Sequence, residues 1–100
     1  MSDKIRVAVS QDLEVLIPRY LARRRTEIEA FRTQLAAADF EALRIGGHSL
    51  KGSGGGYGFH WLTTLGGKIE SAAQRKDTPA IEAALVEYAD YIQRVEVFYV

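Results

Sequence analysis

The sequence predicts an all-α protein, an antiparallel up-down-up-down four-helix bundle with a short extra helix at its N-terminus. Three observations point there. Apolar residues recur at threes and fours along almost the whole chain, strand-like alternation of any length is absent, and the breaks between periodic segments are short. One hundred residues are enough for one domain with a single core. No repeat or linker composition divides them, so residues 1–100 are expected to form one domain.

The first periodic segment is short, over residues 10–17, and carries Leu13, Leu16 and Ile17 up to Pro18. Proline is tolerated in the first turn of a helix and not in its interior, so a long helix is expected to start afresh over residues 19–37. Tyr20, Leu21, Arg24, Ile28, Phe31 and Leu35 mark its inner face, with Arg23, Arg25, Glu27, Glu29 and Arg32 turned outward. Asp39 is a good N-cap for the next helix, which passes through Phe40, Leu43, Gly47 and Leu50. Five glycines among positions 52–58 argue that this helix does not continue far, because each costs about 1 kcal/mol in a helix interior relative to alanine. After a turn near Tyr57 and Gly58, a third segment carries Trp61, Leu62, Leu65, Ile69, Ala72 and Ala73. Thr78 caps and Pro79 opens the last helix, whose inner stripe is Ile81, Leu85, Tyr88, Ile92, Val95 and Tyr99.

Thirteen basic and thirteen acidic residues cancel, so bulk electrostatics favours neither nucleic acid nor an anionic membrane. There is no cysteine, which excludes disulfides and thiolate metal sites and suits a reducing cytoplasm, the expected location. No apolar run reaches the length of a membrane span, and the first residues lead into no signal-peptide core. The start at Met1 is read as that of a separate small protein, expected to be a monomer. His48 and His60 are too few for a metal site. There is also no G-x-x-x-x-G-K-[ST] loop to hold nucleotide phosphates and no acidic cluster suited to magnesium. Arg23, Arg24 and Arg25 read as a charged outer helix face, and Tyr57, Phe59 and Trp61 as core and turn packing.

One stretch carries chemistry. His48 lies in the run from Gly47 to Phe59, and positions three and four residues on share its helix face, so Lys51 and Gly52 stand beside the imidazole. The result is an accessible nucleophile with a cation next to it and a bare patch of backbone where a partner can come close. Neutral imidazole attacks through Nε2 when a partner holds Nδ1–H. Lys51 puts a positive charge beside that nucleophile.

The segment His48-Ser49-Leu50-Lys51-Gly52, followed by Gly58-Phe59, Leu62, Leu65, Ile69-Glu70 and Ala72-Ala73, resembles the histidine-containing phosphotransfer (HPt) domains of bacterial two-component phosphorelays. It is also similar to the phosphorylatable domain of chemotaxis histidine kinases. The resemblance is strongest over residues 39–77. It implies a phosphoryl carrier without kinase activity of its own. The helix-borne histidine would accept a phosphoryl group from a receiver phosphoaspartate or a histidine kinase and pass it to a receiver aspartate of a response regulator. No cofactor is implied for this chain, since the magnesium belongs to the receiver. Glu70 matches a glutamate that hydrogen-bonds the reactive histidine in the chemotaxis kinases, whereas Gly67 departs from them, a histidine being usual there. Gly52 and Gly55 would give a receiver steric access, and Arg44 is taken as a further binding residue. Gly46, Gly47, Gly66 and Gly67 point to close approach of the two helices. The alternative is a helical docking or scaffold module that keeps the bundle and carries no phosphate, but such a module has no need of His48, Lys51 and Gly52 together.

Overall fold

The computed structural model describes residues 3–100. Four helices build it: α1 (Ile17–Ala36), α2 (Phe40–Gly56), α3 (His60–Gln74) and α4 (Thr78–Arg94). Each packs on its chain neighbour, and α1 closes the ring against α4. The antiparallel bundle is the one expected from the apolar period. Its centre is apolar, with Leu43, Leu50, Leu62, Leu65, Ile69 and Ile81 fully excluded from solvent. Each such side chain contributes about 1.5–3 kcal/mol of burial.

Three connectors of the same design join the helices. Ala38, Gly58 and Lys76 take the left-handed conformation, at φ 54°, 91° and 54°. The next residue then donates its N–H to a carbonyl five positions back: Asp39 to Gln34 at 2.8 Å, Phe59 to Gly54 at 2.8 Å, Asp77 to Ala72 at 2.9 Å. This closes the free carbonyls of one helix, and the same donor residue is the N-cap of the next. Asp39 Oδ1 accepts from the Ala42 N–H at 3.1 Å. Asp77 Oδ1 does the same for Ala80 at 3.2 Å, so Asp77 rather than Thr78 is the cap of α4, and Thr78 is its first residue.

The chain ends differ from the sequence expectation. No extra α-helix forms over residues 10–17. A strand, β1 (Ile5–Val9), precedes a single 3₁₀ turn at Gln11–Leu13, where the Ser10 hydroxyl accepts from the Asp12 N–H at 3.3 Å. Pro18 then lies in the first turn of α1, which starts at Ile17 and ends one residue short of the expected limit. At the other end α4 stops at Arg94, and Val95 and Tyr99 belong to a second strand, β2 (Val95–Tyr99), instead of the helix stripe. The two strands pair in parallel, Ile5 with Val95, Val7 with Val97 and Val9 with Tyr99. Both are short and rich in β-branched and aromatic residues, and each finds its hydrogen-bond partner at the far end of the chain. Helical spacing from Ile92 to Val95 and Tyr99 masked the second of them.

Glu27 also departs from the outward orientation expected of it. Its side chain is 19% exposed and accepts the Tyr88 hydroxyl at 2.7 Å, with Arg24 Nε 3.6 Å away. Burial raises the Glu27 carboxyl above the usual range, against the smaller opposing pulls of Tyr88 and Arg24. Burial and the Glu27 charge likewise push the Tyr88 hydroxyl upward. A carboxyl raised in the folded state ionises first in the unfolded chain, so stability falls as pH rises from about 4.3, the unfolded value, through the raised one. Glu27→Gln, which keeps an acceptor for Tyr88 without the charge, is therefore expected to gain on the wild type over that interval. Urea unfolding of both proteins between pH 4 and pH 8 measures it. A difference that does not vary with pH would remove burial of the Glu27 charge as a stability term.

Candidate functional site

The site is made by a backbone contact between α2 and α3. A Cβ placed on Gly47 would lie 2.7 Å from the amide nitrogen of Glu70 and 2.9 Å from the carbonyl oxygen of Gly66. One placed on Gly66 would strike the backbone nitrogen of Lys51 and come within 2.7 Å of the Gly47 carbonyl oxygen. No side chain fits at either position. One turn of α2, residues 47–51, is thus pressed directly on one turn of α3, residues 66–70. A turn further along, Gly54 continues the contact, its Cβ position 2.8 Å from both the Leu62 Cβ and the Thr63 amide nitrogen. The close approach expected from the glycines holds for Gly47 and Gly66. Gly46 instead accommodates the ring of Phe31, and Gly67 faces the aliphatic part of Lys51 at ordinary contact distance.

Three polar side chains flank this contact. His48 Nδ1 is 2.9 Å from Glu70 Oε2, and Lys51 Nζ is 3.7 Å from Glu70 Oε1. Glu70 is nearly buried, its side chain 16% exposed, while the His48 side chain is 71% exposed. A carboxylate accepts, so Nδ1 carries the proton in the neutral ring and Nε2 keeps its lone pair. No described residue hydrogen-bonds Nε2. The arrangement presents a nucleophilic nitrogen to solvent, oriented from below by a carboxylate and accompanied by an ammonium group.

Of the other expected residues, Gly52 stands on the open face of α2, with nothing within 4 Å of its Cβ position. Gly55 turns toward α3, where a Cβ would meet the Thr63 hydroxyl at 3.2 Å. Arg44 is not drawn to His48. It holds Glu41 with two hydrogen bonds, Nη2 to Oε1 at 2.6 Å and Nε to Oε2 at 3.1 Å, and that contact keeps the Glu41 carboxyl below its ordinary value. Tyr57 and Phe59 pack on Tyr20, with ring centroids 4.3 and 5.6 Å away. Trp61, expected on the inner stripe, is 42% exposed with Lys68 Nζ 5.2 Å from its ring centre.

Sequence reasoning did not anticipate a second polar group on the α1 side of α2. Ser53 shares a hydrogen bond with the Tyr20 hydroxyl at 3.0 Å and accepts from Arg24 Nη1 at 3.3 Å, while the Arg24 guanidinium lies 4.7 Å from the centre of the Tyr20 ring. The available signal was Arg24 itself, a charged residue on the inner period of its helix. Among the described residues no group of three or more histidine, aspartate or glutamate side chains could hold a metal, and no helix is long and apolar enough to cross a membrane.

Because Gly47 and Gly66 set the spacing, Gly47→Ala is expected to force the two turns apart and weaken the His48–Glu70 hydrogen bond. Gly54→Ala inserts the same methyl in the same helix interface away from the histidine. Both should destabilise the bundle by about 1–3 kcal/mol. Only Gly47→Ala should move the ring nitrogen resonances of His48, read by ¹⁵N NMR as a shift in tautomer balance. Equal His48 spectra in the two variants would refute the role given to the Gly47 contact.

No curated protein and no solved structure matches the chain. A family model described as the Hpt domain matches residues 15–97, which takes in all four helices and both turns that make the His48 contact. On that match and this architecture, the chain belongs to the Hpt domain family, the helical phosphoryl carriers of phosphorelays.

Proposed function

We propose that the hundred residues work as a single phosphotransfer domain in which His48 is the phosphoacceptor. The observation that carries this reading is the hydrogen bond from His48 Nδ1 to Glu70 on an otherwise exposed imidazole. With Nδ1–H engaged, the Nε2 lone pair attacks the phosphorus of a receiver phosphoaspartate or of a histidine kinase donor. The N–P bond forms as the bond from phosphorus to the donor atom breaks, and the donor group leaves with its electron pair. Positive charge developing on the ring is met by the Glu70 carboxylate, and Lys51 turns from Glu70 toward the phosphoryl oxygens. Return to a receiver aspartate reverses the same steps. Hpt domains engage receiver domains and kinases. Which receivers serve this chain follows from surface shape and charge around His48.

Gly52 supports the reading sterically. Its open Cβ position leaves bare backbone one helical turn beyond His48, where a receiver carrying an aspartate must approach within bonding distance of Nε2. A scaffold that only docks has no use for a free Nε2 beside an ammonium group.

Two variants test this function. His48→Gln is expected to abolish labelling by every phosphorylated receiver or kinase of the organism, with circular dichroism and melting temperature unchanged because the imidazole lies outside the core. The wild-type label should be lost in acid and kept in base, as for a phosphoramidate. A label retained in His48→Gln, or one stable to acid, would move the acceptor elsewhere, with Ser49 and Ser53 the neighbours to examine. Gly52→Gln should fold at least as stably as the wild type, by about 0.5–1 kcal/mol from helix propensity, and yet transfer poorly. Normal transfer by that variant would mean that receivers do not pass over this part of α2.

A further inference from the structure

The arginines of α1 do not behave as one outer face. Every arginine outside the stretch 19–25 lies against a carboxylate: Arg6 on Glu96, Arg32 on Glu29, Arg44 on Glu41, Arg75 on Asp77 and Arg94 on Asp90. Within the stretch Arg24 pairs with Glu27. Arg19, Arg23 and Arg25 pair with none among the described residues. Arg25 turns toward α4, into a shallow groove that Glu29 also lines. Arg19 and Arg23 turn the other way. With Arg24, Ser49, Ser53 and Tyr57 they line a groove of about 340 Å³ between α1 and α2, and no carboxylate lines it. Ser49 is the residue after His48, so this cationic groove runs along one flank of the histidine while Lys51 and Glu70 occupy the other.

The groove has the dimensions of a contact with another protein. Its α1 wall runs from the N-cap Leu16 to Arg24, eight residue steps or about 12 Å of helix, which exceeds one phosphate ion and matches a row of side chains on a second macromolecule. Its end is apolar, with Leu16 49% exposed, and Ile45, one turn before His48, is 54% exposed. Two uncompensated guanidinium groups, two hydroxyls and a flanking apolar pair define a partner face with carboxylates beside an apolar ridge.

We propose that the α1–α2 groove selects the partner receiver, its occupant a carboxylate-bearing face of that receiver held by Arg19 and Arg23 while His48 reaches the aspartate. This rests on the phosphotransfer reading above. The hydroxyls of Ser49 and Tyr57 add hydrogen-bonding at the same wall, and Arg24, held by Glu27 and Ser53, keeps the floor of the groove in place.

The test uses the whole chain charged at His48 by phosphoramidate, a small donor that needs no docking surface, so that the rate read is transfer alone. Wild type is first profiled against the receivers of its organism to find the one that accepts fastest. Transfer to that receiver is then measured for R19E/R23E and for R25E, a charge reversal on the opposite side of α1, with circular dichroism confirming that each is folded. The double variant is expected to transfer at least about tenfold more slowly at low ionic strength, with R25E close to wild type. Added salt should slow the wild type and, by screening the new repulsion, speed the double variant, and an acidic-to-lysine change on the receiver face should restore the double variant. A receiver that accepts phosphate equally from wild type and R19E/R23E overturns the groove and leaves the phosphotransfer reading intact. Equal losses in R25E and R19E/R23E overturn it too, since charge reversal anywhere on α1 would then suffice. Inhibition of the wild type by inorganic phosphate beyond that of chloride at equal ionic strength would reassign the groove to a single anion. Failure of every receiver to accept phosphate from the charged wild type would overturn both proposals together.

Discussion

Everything at this site depends on two helices meeting without side chains between them. Gly47 and Gly66 let the backbones of α2 and α3 touch, and that contact fixes where Glu70 can stand relative to His48. Helices that carry even alanine at both points would hold the carboxylate further off, and a 2.9 Å hydrogen bond does not survive a shift of that kind. The arrangement is costly locally. Six glycines lie within α2, a sequence that would not be helical in isolation. The helix persists through Gly56 because Leu43 and Leu50 are buried in the core and Gly47 and Gly54 are pressed against the backbone and Leu62 of α3. Tertiary packing here overrides helix propensity, and the benefit appears as chemistry.

The rest of the bundle serves as backing. A chain of polar contacts runs from Tyr88 on α4 through Glu27 and Arg24 on α1 to Ser53 on α2. Such a chain restrains the relative rotation of three helices in a way that apolar packing does not, because each hydrogen bond has a direction. The histidine helix is therefore held on one side by backbone contact with α3 and on the other by directional bonds to α1, leaving only its outer face free. His48, Ser49 and Gly52 all belong to that face, and so does the reactive Nε2.

Much of this was legible in the residues. Helical periodicity places the starts of the four helices to within a residue or two, Asp39 announces the start of α2, helical spacing puts Lys51 beside His48, and the family resemblance points to Glu70. What escaped the sequence has physical causes. The glycine run looked like a helix end because propensity is local, whereas the α3 surface that rescues it lies elsewhere in the chain. β1 and β2 are each too short to announce themselves, and their pairing joins residues about ninety positions apart. Glu27 reads as an outward residue from its spacing, and only the Tyr88 hydroxyl arriving from α4 explains why it turns inward. Arg24 is the converse, since its inner position on the period was correct and its partners were the unknown.

The parallel pairing of β1 and β2 has a mechanical consequence. The chain enters the ribbon at Ile5 and leaves it at Tyr99, and because the strands run in the same direction these two points lie at opposite ends of the ribbon. Tension transmitted along the chain would pull the strands past each other along their length. All the inter-strand hydrogen bonds would then share the load at once, whereas strands pulled from a common end open one bond at a time. The ribbon would accordingly be loaded in shear, and the helices between its two strands would not carry that tension until the pairing gave way.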